Sequence, residues 1–90
     1  MAQARRGDAG QPRLRAGAPY DLVFANILAA PLRRMARELA GAQAPGGVAI
    51  LSGILARQAA AVVATYRGWG YRPADAVAIE EWRTLVLRRG

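Results

Sequence analysis

Residues 20–55 read YDLVFANILAAPLRRMARELAGAQAPGGVAILSGIL, and the fold turns on this stretch. Leu22-Val23-Phe24-Ala25 and Val48-Ala49-Ile50-Leu51 are uninterrupted apolar runs. Short runs of this kind predict strands buried on both faces, as in a parallel sheet. Between them Leu32, Met35, Ala36 and Leu39 recur at i, i+3, i+4 and i+7, with Arg33, Arg34, Arg37 and Glu38 on the opposite side. That spacing predicts one amphipathic helix. Pro31 suits its first turn, where a missing N–H costs nothing, and Gly41 is expected to end it. Pro45-Gly46-Gly47 reads as a tight turn. Ser52-Gly53 closes the second strand and is placed to cap the next helix.

Downstream, Leu55, Ala59, Val62, Val63 and Tyr66 form the apolar stripe of a second helix running to Arg67, with Gly68 and Gly70 ending it. Tyr71 to Glu80 reads as a third strand, with Pro73 marking an edge or a bulge at its start. Trp82 to Arg88 reads as a fourth, partly covered on both faces. Glu80-Glu81 permits a short antiparallel connection between the two. The order is strand, helix, strand, helix, strand, strand, an α/β sheet with one antiparallel member. Upstream, residues 1–19 (MAQARRGDAGQPRLRAGAP) show no apolar period and are rich in Gly, Pro, Ala and Arg. They read as an irregular or disordered tail, leaving 20–90 as the ordered unit.

Composition removes several kinds of chemistry. The chain has 90 residues and no Cys or His, so disulfides, Cys/His zinc sites and Ser-His-Asp or Cys-His catalysis are excluded within it. All 13 cationic residues are Arg, the net charge is +7, and 53% of residues are hydrophobic, too many for a disordered chain. No apolar run approaches the ~20 residues that span a bilayer, and no secretory signal pattern is present. The expected setting is cytoplasmic, with no membrane partner. The charge reads as compositional bias on solvated faces; its sharper alternative is a field for RNA or a ribosomal surface, concentrated in the Arg-rich tail.

In open α/β sheets ligands bind beyond the carboxyl ends of the parallel strands. Asn26 stands at that end of the first strand, and Ser52 and Gly53 at that end of the second. By itself Asn26 reads as a turn residue after a strand, and Ser52 as a cap or turn residue. Trp69 and Trp82 read as core or edge packing. Glu80 and Glu81 read as turn and surface charge, because adjacent strand residues point to opposite faces.

Four segments in order, Tyr20 to Leu28, Pro45-Gly46-Gly47, Leu51 to Leu55 and Glu80-Glu81-Trp82, carry a resemblance. They resemble the C-terminal half of the S-adenosyl-L-methionine-dependent methyltransferases that modify ribosomal protein L11, over about residues 20–89. The resemblance implies the C-terminal half of a Rossmann-like methyltransferase sheet, with the present segments as its fourth to seventh strands. The last strand would be antiparallel and inserted between its neighbours. It implies Asn26 as the catalytic and cofactor-contacting residue at the methyl-transfer site, and Asn26, Ile27, Leu28 and Ser52 as substrate contacts. S-adenosyl-L-methionine is the implied cofactor and a ribosomal protein the implied substrate.

An amide suits that chemistry. A neutral amine must aim its lone pair at the methyl carbon, and an Asn carbonyl accepting its N–H bonds orients it. A carboxylate would favour the unreactive ammonium. The family's Gly-rich turn and ribose-holding acid have no counterpart before residue 20; Gly7 and Gly10 lie in no strand-turn-helix context. The expectation is therefore a fragment, with the upstream half of the same enzyme as a partner, weak or absent cofactor binding, and a bare apolar edge on the first strand. Two alternatives stand beside it: a basic RNA- or ribosome-binding module, and a piece that completes another chain's sheet.

Overall fold

The structure is a computed structural model and describes residues 2–5, 19–26 and 28–90. It contains β1 (Ala2–Arg5), β2 (Tyr20–Asn26), α1 (Ala29–Arg34), α2 (Ala36–Ala42), β3 (Gln43–Leu55), α3 (Ala56–Arg67), β4 (Tyr71–Ile79) and β5 (Trp82–Arg89). The sheet order is β1-β2-β3-β5-β4. β2 and β3 are parallel, and β5 lies antiparallel between β3 and β4. The inserted antiparallel last strand is thus present as expected. Glu80-Glu81 forms the hairpin turn, with Glu80 at φ 54°.

The helices cover one face of the sheet. Val23, Ala25, Ala49, Leu51, Leu85 and Leu87 point into a core closed by Ala29, Leu32, Ala36, Leu39, Val62 and Tyr66. Apolar burial of this kind is the main force holding the layers together. The opposite face carries Leu22 against Val48 and Phe24 against Ile50, with Val86 beside Ile50. Burial along β2 alternates, and Phe24 keeps 39% of its surface exposed. The expectation of strands buried on both faces is therefore corrected. Among the described residues no helix packs on the second face, so only alternate side chains are covered.

Several local expectations are also corrected. Ala2–Arg5, inside the stretch read as an irregular tail, is a strand pairing antiparallel with β2 from Ala2↔Ala25 to Arg5↔Leu22; residues 6–18 lie outside the described residues. The edge of β2 is consequently not bare there, because β1 satisfies its backbone groups. The single amphipathic helix is two, broken at Met35 (φ −88°, ψ 1°). Its buried residues are nonetheless the expected Leu32, Ala36 and Leu39, and Gly41 lies inside α2 rather than ending it.

Pro45-Gly46-Gly47 is an irregularity within β3, not a turn between elements. The register runs from Tyr20↔Gln43 directly to Leu22↔Val48. Gly46 takes φ +80°, and Gln43 Nε2 bridges the bulge to the Val48 carbonyl at 2.7 Å. Ser52 does not cap α3. The strand continues through a second bulge at Gly53 (φ +81°), and the Leu55 N–H is instead accepted by Gln58 Oε1 at 3.0 Å. Pro73 does mark an irregularity, between Pro73 and Asp75 of β4.

Candidate functional site

β2 and β3 run in the same direction; β2 ends at Asn26, the ladder partner of Ser52, and β3 continues past it through the Gly53 bulge to Leu55. β5 runs the other way, so its first residues arrive at that same end. β4 is antiparallel to β5 and delivers its last residues there, with Val77 opposite Thr84 and Ile79 opposite Trp82. Four strands thus contribute to one cavity of about 280 Å³, lined by Asn26, Ser52, Gly53, Val77, Ile79, Trp82, Arg83 and Thr84.

The floor is polar and uncharged. Ser52 Oγ and Thr84 Oγ1 share a hydrogen bond of 3.1 Å across β3 and β5, and Asn26 continues the row on β2. The wall is apolar: Val77, Ile79 and Trp82 are all exposed, Trp82 by 46%. Large apolar side chains left in solvent beside convergent polar groups mark a binding surface more than a packing defect. Arg83 is the one charged residue in the lining. Its Nη1 donates to the carbonyls of Glu80 and Trp82, each at 2.9 Å, which fixes the guanidinium over the hairpin. Glu80 and Glu81 form the exposed turn and do not line the cavity.

Of the residues singled out from sequence, Asn26 and Ser52 meet in this cavity. Leu28 does not: it precedes α1 and is 71% exposed. Ile27 lies outside the described residues. Trp82, read as packing, belongs to the cavity wall, and Trp69 is exposed with the Arg37 guanidinium 6.0 Å from its ring. Sequence reasoning misses Val77, Ile79, Arg83 and Thr84. The available signal is the Glu80-Glu81 turn. A hairpin whose second strand inserts antiparallel beside β3 must set its turn at the carboxyl end of the sheet.

A second, more open cavity of about 330 Å³ lies between α1 and α3, lined by Ala30, Arg33, Arg34 and Thr65. Arg33 Nε donates to Thr65 Oγ1 at 3.0 Å there. Its lining contains no carboxylate, imidazole, thiol or amine. The tyrosines that burial pushes above their ordinary range, Tyr66 and Tyr71, stand edge to face in the helix-side core. Desolvation is the larger cause for both; the neighbouring Tyr71 adds to it for Tyr66, and Arg89 works against it for Tyr71. No group of His, Cys, Asp and Glu suited to a metal occurs among the described residues. No described helix is long and apolar enough to cross a membrane.

Comparison with known proteins agrees with this architecture. Residues 7–90 match the family model described as ribosomal protein L11 methyltransferase. The match begins upstream of Tyr20, inside the stretch read as a tail. A ribosomal protein L11 methyltransferase of Bradyrhizobium diazoefficiens is 53% identical over 75 residues, covering 83% of this chain and 25% of the relative. One from a Caulobacter species is 47% identical over 72 residues, covering 80% and 25%. The chain spans about a quarter of the length of these curated relatives. Among solved structures, a ribosomal protein L11 methylase of Lactobacillus delbrueckii subsp. bulgaricus superposes with a TM-score of 0.77 at 23% identity. That match covers 91% of this chain and 45% of that one. A methyltransferase of Pyrococcus furiosus gives 0.64 at 13%, covering 91% and 46%. These two likenesses establish a Rossmann-like fold.

Proposed function

Because the chain belongs to the ribosomal protein L11 methyltransferase family, we propose that it forms the substrate-facing side of a protein amine N-methyltransferase site, with Asn26 as the residue that orients the amine. The observation that carries this reading is the cavity itself. Asn26 and Ser52, neighbours across parallel strands, meet an apolar wall of Val77, Ile79 and Trp82. The substrate is a ribosomal protein by the same resemblance.

The cofactor implied by the family is S-adenosyl-L-methionine. When bound, it supplies a methyl carbon whose bond to a positively charged sulfur breaks as the amine nitrogen bonds to it. The cavity lining fits the transferring end of such a group, with one amide and two hydroxyls. The described residues do not supply the donor set for its nucleoside. Asp21, Glu38 and Asp75 lie away from the carboxyl ends of β2 and β3, and Glu80 and Glu81 sit in the exposed turn outside the cavity lining. Holding the nucleoside therefore falls to residues other than these. The half-exposed apolar face of Leu22, Phe24, Val48, Ile50 and Val86 supports the same reading, since Rossmann-like sheets are covered on both faces.

Within the cavity Asn26 Oδ1 accepts an N–H of the incoming amine and aims its lone pair outward from the strand ends. Ser52, oriented by Thr84, offers a second polar contact beside it. Catalysis by such positioning is worth orders of magnitude, and misplacement by about 1 Å costs ~10²-fold. The test is a chimera in which residues 20–90 replace the matching stretch of the Bradyrhizobium diazoefficiens relative. Methyl transfer to ribosomal protein L11 is the readout. Transfer is expected, with Asn26→Ala reducing kcat by ~10²-fold. A folded chimera that transfers no methyl group, or an Asn26→Ala variant of unchanged kcat, would refute the proposal.

A further inference from the structure

The helix layer carries a second surface that shares no residue with the strand-end cavity. Its charge is one-sided: positions 29–70 hold Arg33, Arg34, Arg37, Arg57 and Arg67 against Glu38. Tertiary packing sets three of these cations beside the end of α3. Tyr66 Oη donates to the Leu32 carbonyl at 2.7 Å, Arg33 Nε donates to Thr65 Oγ1 at 3.0 Å, and the Arg37 guanidinium lies 6.0 Å from the Trp69 ring. Positions 33 and 37 thus stand beside 65 and 69, and the two segments run alongside each other. Arg33 and Arg34 line the open cavity of about 330 Å³ with Ala30 and Thr65. Trp69 borders Arg37 one turn further on and keeps 44% of its surface exposed. We infer that this surface docks a single-stranded nucleic acid, with backbone phosphates on Arg33 and Arg34 and a base stacked on Trp69.

The cavity chemistry selects an anion. Its lining has two guanidinium groups, one hydroxyl and no carboxylate, and a guanidinium stays protonated at every relevant pH. Thr65 gives its own proton to the Ala61 carbonyl at 3.0 Å, so its oxygen is left to accept from Arg33. That bond holds Arg33 by Nε and not by the forked Nη pair, the part of a guanidinium that grips phosphate. Trp69 decides which anion. Nucleic-acid strands alternate phosphates with planar bases, and proteins hold them by cations beside an exposed aromatic ring. A membrane surface would need large apolar side chains among the cations, and the cavity lining offers only Ala30. An acidic peptide would use the arginines but has no call on an exposed indole.

The test uses the 90-residue chain and needs no methyl transfer, so its outcome is separate from that of the chimera. Fluorescence anisotropy of a dye-labelled oligouridine of about ten nucleotides measures Kd at salt concentrations from about 50 to 200 mM, the range over which phosphate contacts weaken measurably. Binding is expected, and Arg33→Gln/Arg34→Gln should flatten the slope of log Kd against log salt by about 1.4, roughly 0.7 for each lost phosphate contact. Arg34→Gln alone, which leaves the Arg33–Thr65 bond intact, should remove about half of that. Arg57→Gln/Arg72→Gln takes the same charge from elsewhere and should leave the slope unchanged. Trp69→Ala should weaken binding about five- to 150-fold with no change in slope, because stacking carries no charge. Circular dichroism confirms that each variant is folded. Equal loss of slope in the two double variants would reduce the surface to a diffuse field and overturn the inference, as would unchanged affinity in Trp69→Ala or no binding at the lowest salt. Polyglutamate of equal length that displaces the oligouridine at equal concentration would assign the surface to acidic peptides instead.

Discussion

The buried contact between Tyr71 and Gln43 offers the sharpest test of how this sheet is held. The Tyr71 hydroxyl donates to Gln43 Oε1, and Gln43 Nε2 donates in turn to the Val48 carbonyl at 2.7 Å. Gln43 is 4% exposed and Tyr71 1%. Gln43 is the sole buried polar residue among the described ones outside the aromatic and apolar core, set where β3 bulges away from β2. Tyr71→Phe keeps the ring and its edge contact with Tyr66 but strands the Gln43 oxygen without water. A neutral acceptor left unpaired in the core costs ~1–3 kcal/mol. For a domain of this size that lowers Tm by roughly 4–24 °C. Gln43→Leu strands the tyrosine hydroxyl and costs a similar amount. The double variant removes donor and acceptor together. It should be less destabilised than the sum of the singles by about 1 kcal/mol or more. Chemical denaturation of the four proteins, monitored by circular dichroism, measures the cycle. Strict additivity, or a Tyr71→Phe protein as stable as the parent, would refute the argument that this network pins the bulge.

Two further outcomes follow from the same core and from the site. Tyr66 and Tyr71 have pKa values raised in the folded chain, so the unfolded chain releases their protons first. The associated stability is intact below the unfolded value of about 10 and is lost as pH rises above it, by up to ~1.4 kcal/mol per pH unit per tyrosine. Thermal melts between pH 8 and 12 should fall only beyond pH 10, and less steeply in Tyr71→Phe; a flat profile would contradict the burial of the phenols. Gly53 sits at φ +81° in the bulge that lines the cavity, so Gly53→Ala should destabilise by ~1–2 kcal/mol. Gly41→Ala, in α2 with nothing near an added Cβ, should instead stabilise by about 0.5 kcal/mol. Melting both variants checks the opposite signs.

Much of this arrangement is legible in the chain as written. The apolar runs at Leu22–Ala25 and Val48–Leu51 locate two strands, and the 3.6-residue spacing of Leu32, Ala36 and Leu39 locates a buried helical stripe. Local periodicity reports these features because each side chain's burial follows from its own element's geometry. Asn26 and Ser52 are legible for a related reason: the ends of parallel strands are where such sheets bind ligands. Other local features mislead. Gly41 and Pro45-Gly46-Gly47 look like breaks, yet one continues a helix and the other is absorbed as a bulge, because tertiary pairing overrides weak local preference.

Local pattern therefore determined the strands and helical stripes from Tyr20 onward, the residues that face the helices, and the two polar groups at the strand ends. Tertiary structure alone decided which face of the sheet stays open, that Ala2–Arg5 pairs with β2, and that Val77, Ile79, Trp82, Arg83 and Thr84 complete the site. Those decisions depend on backbone pairing between residues far apart in sequence, which periodicity within one element does not record. Trp82 is the clearest case. Its exposure and its place beside Asn26 exist only because β5 runs antiparallel between β3 and β4 and brings its first residue to the end where β2 and β3 stop.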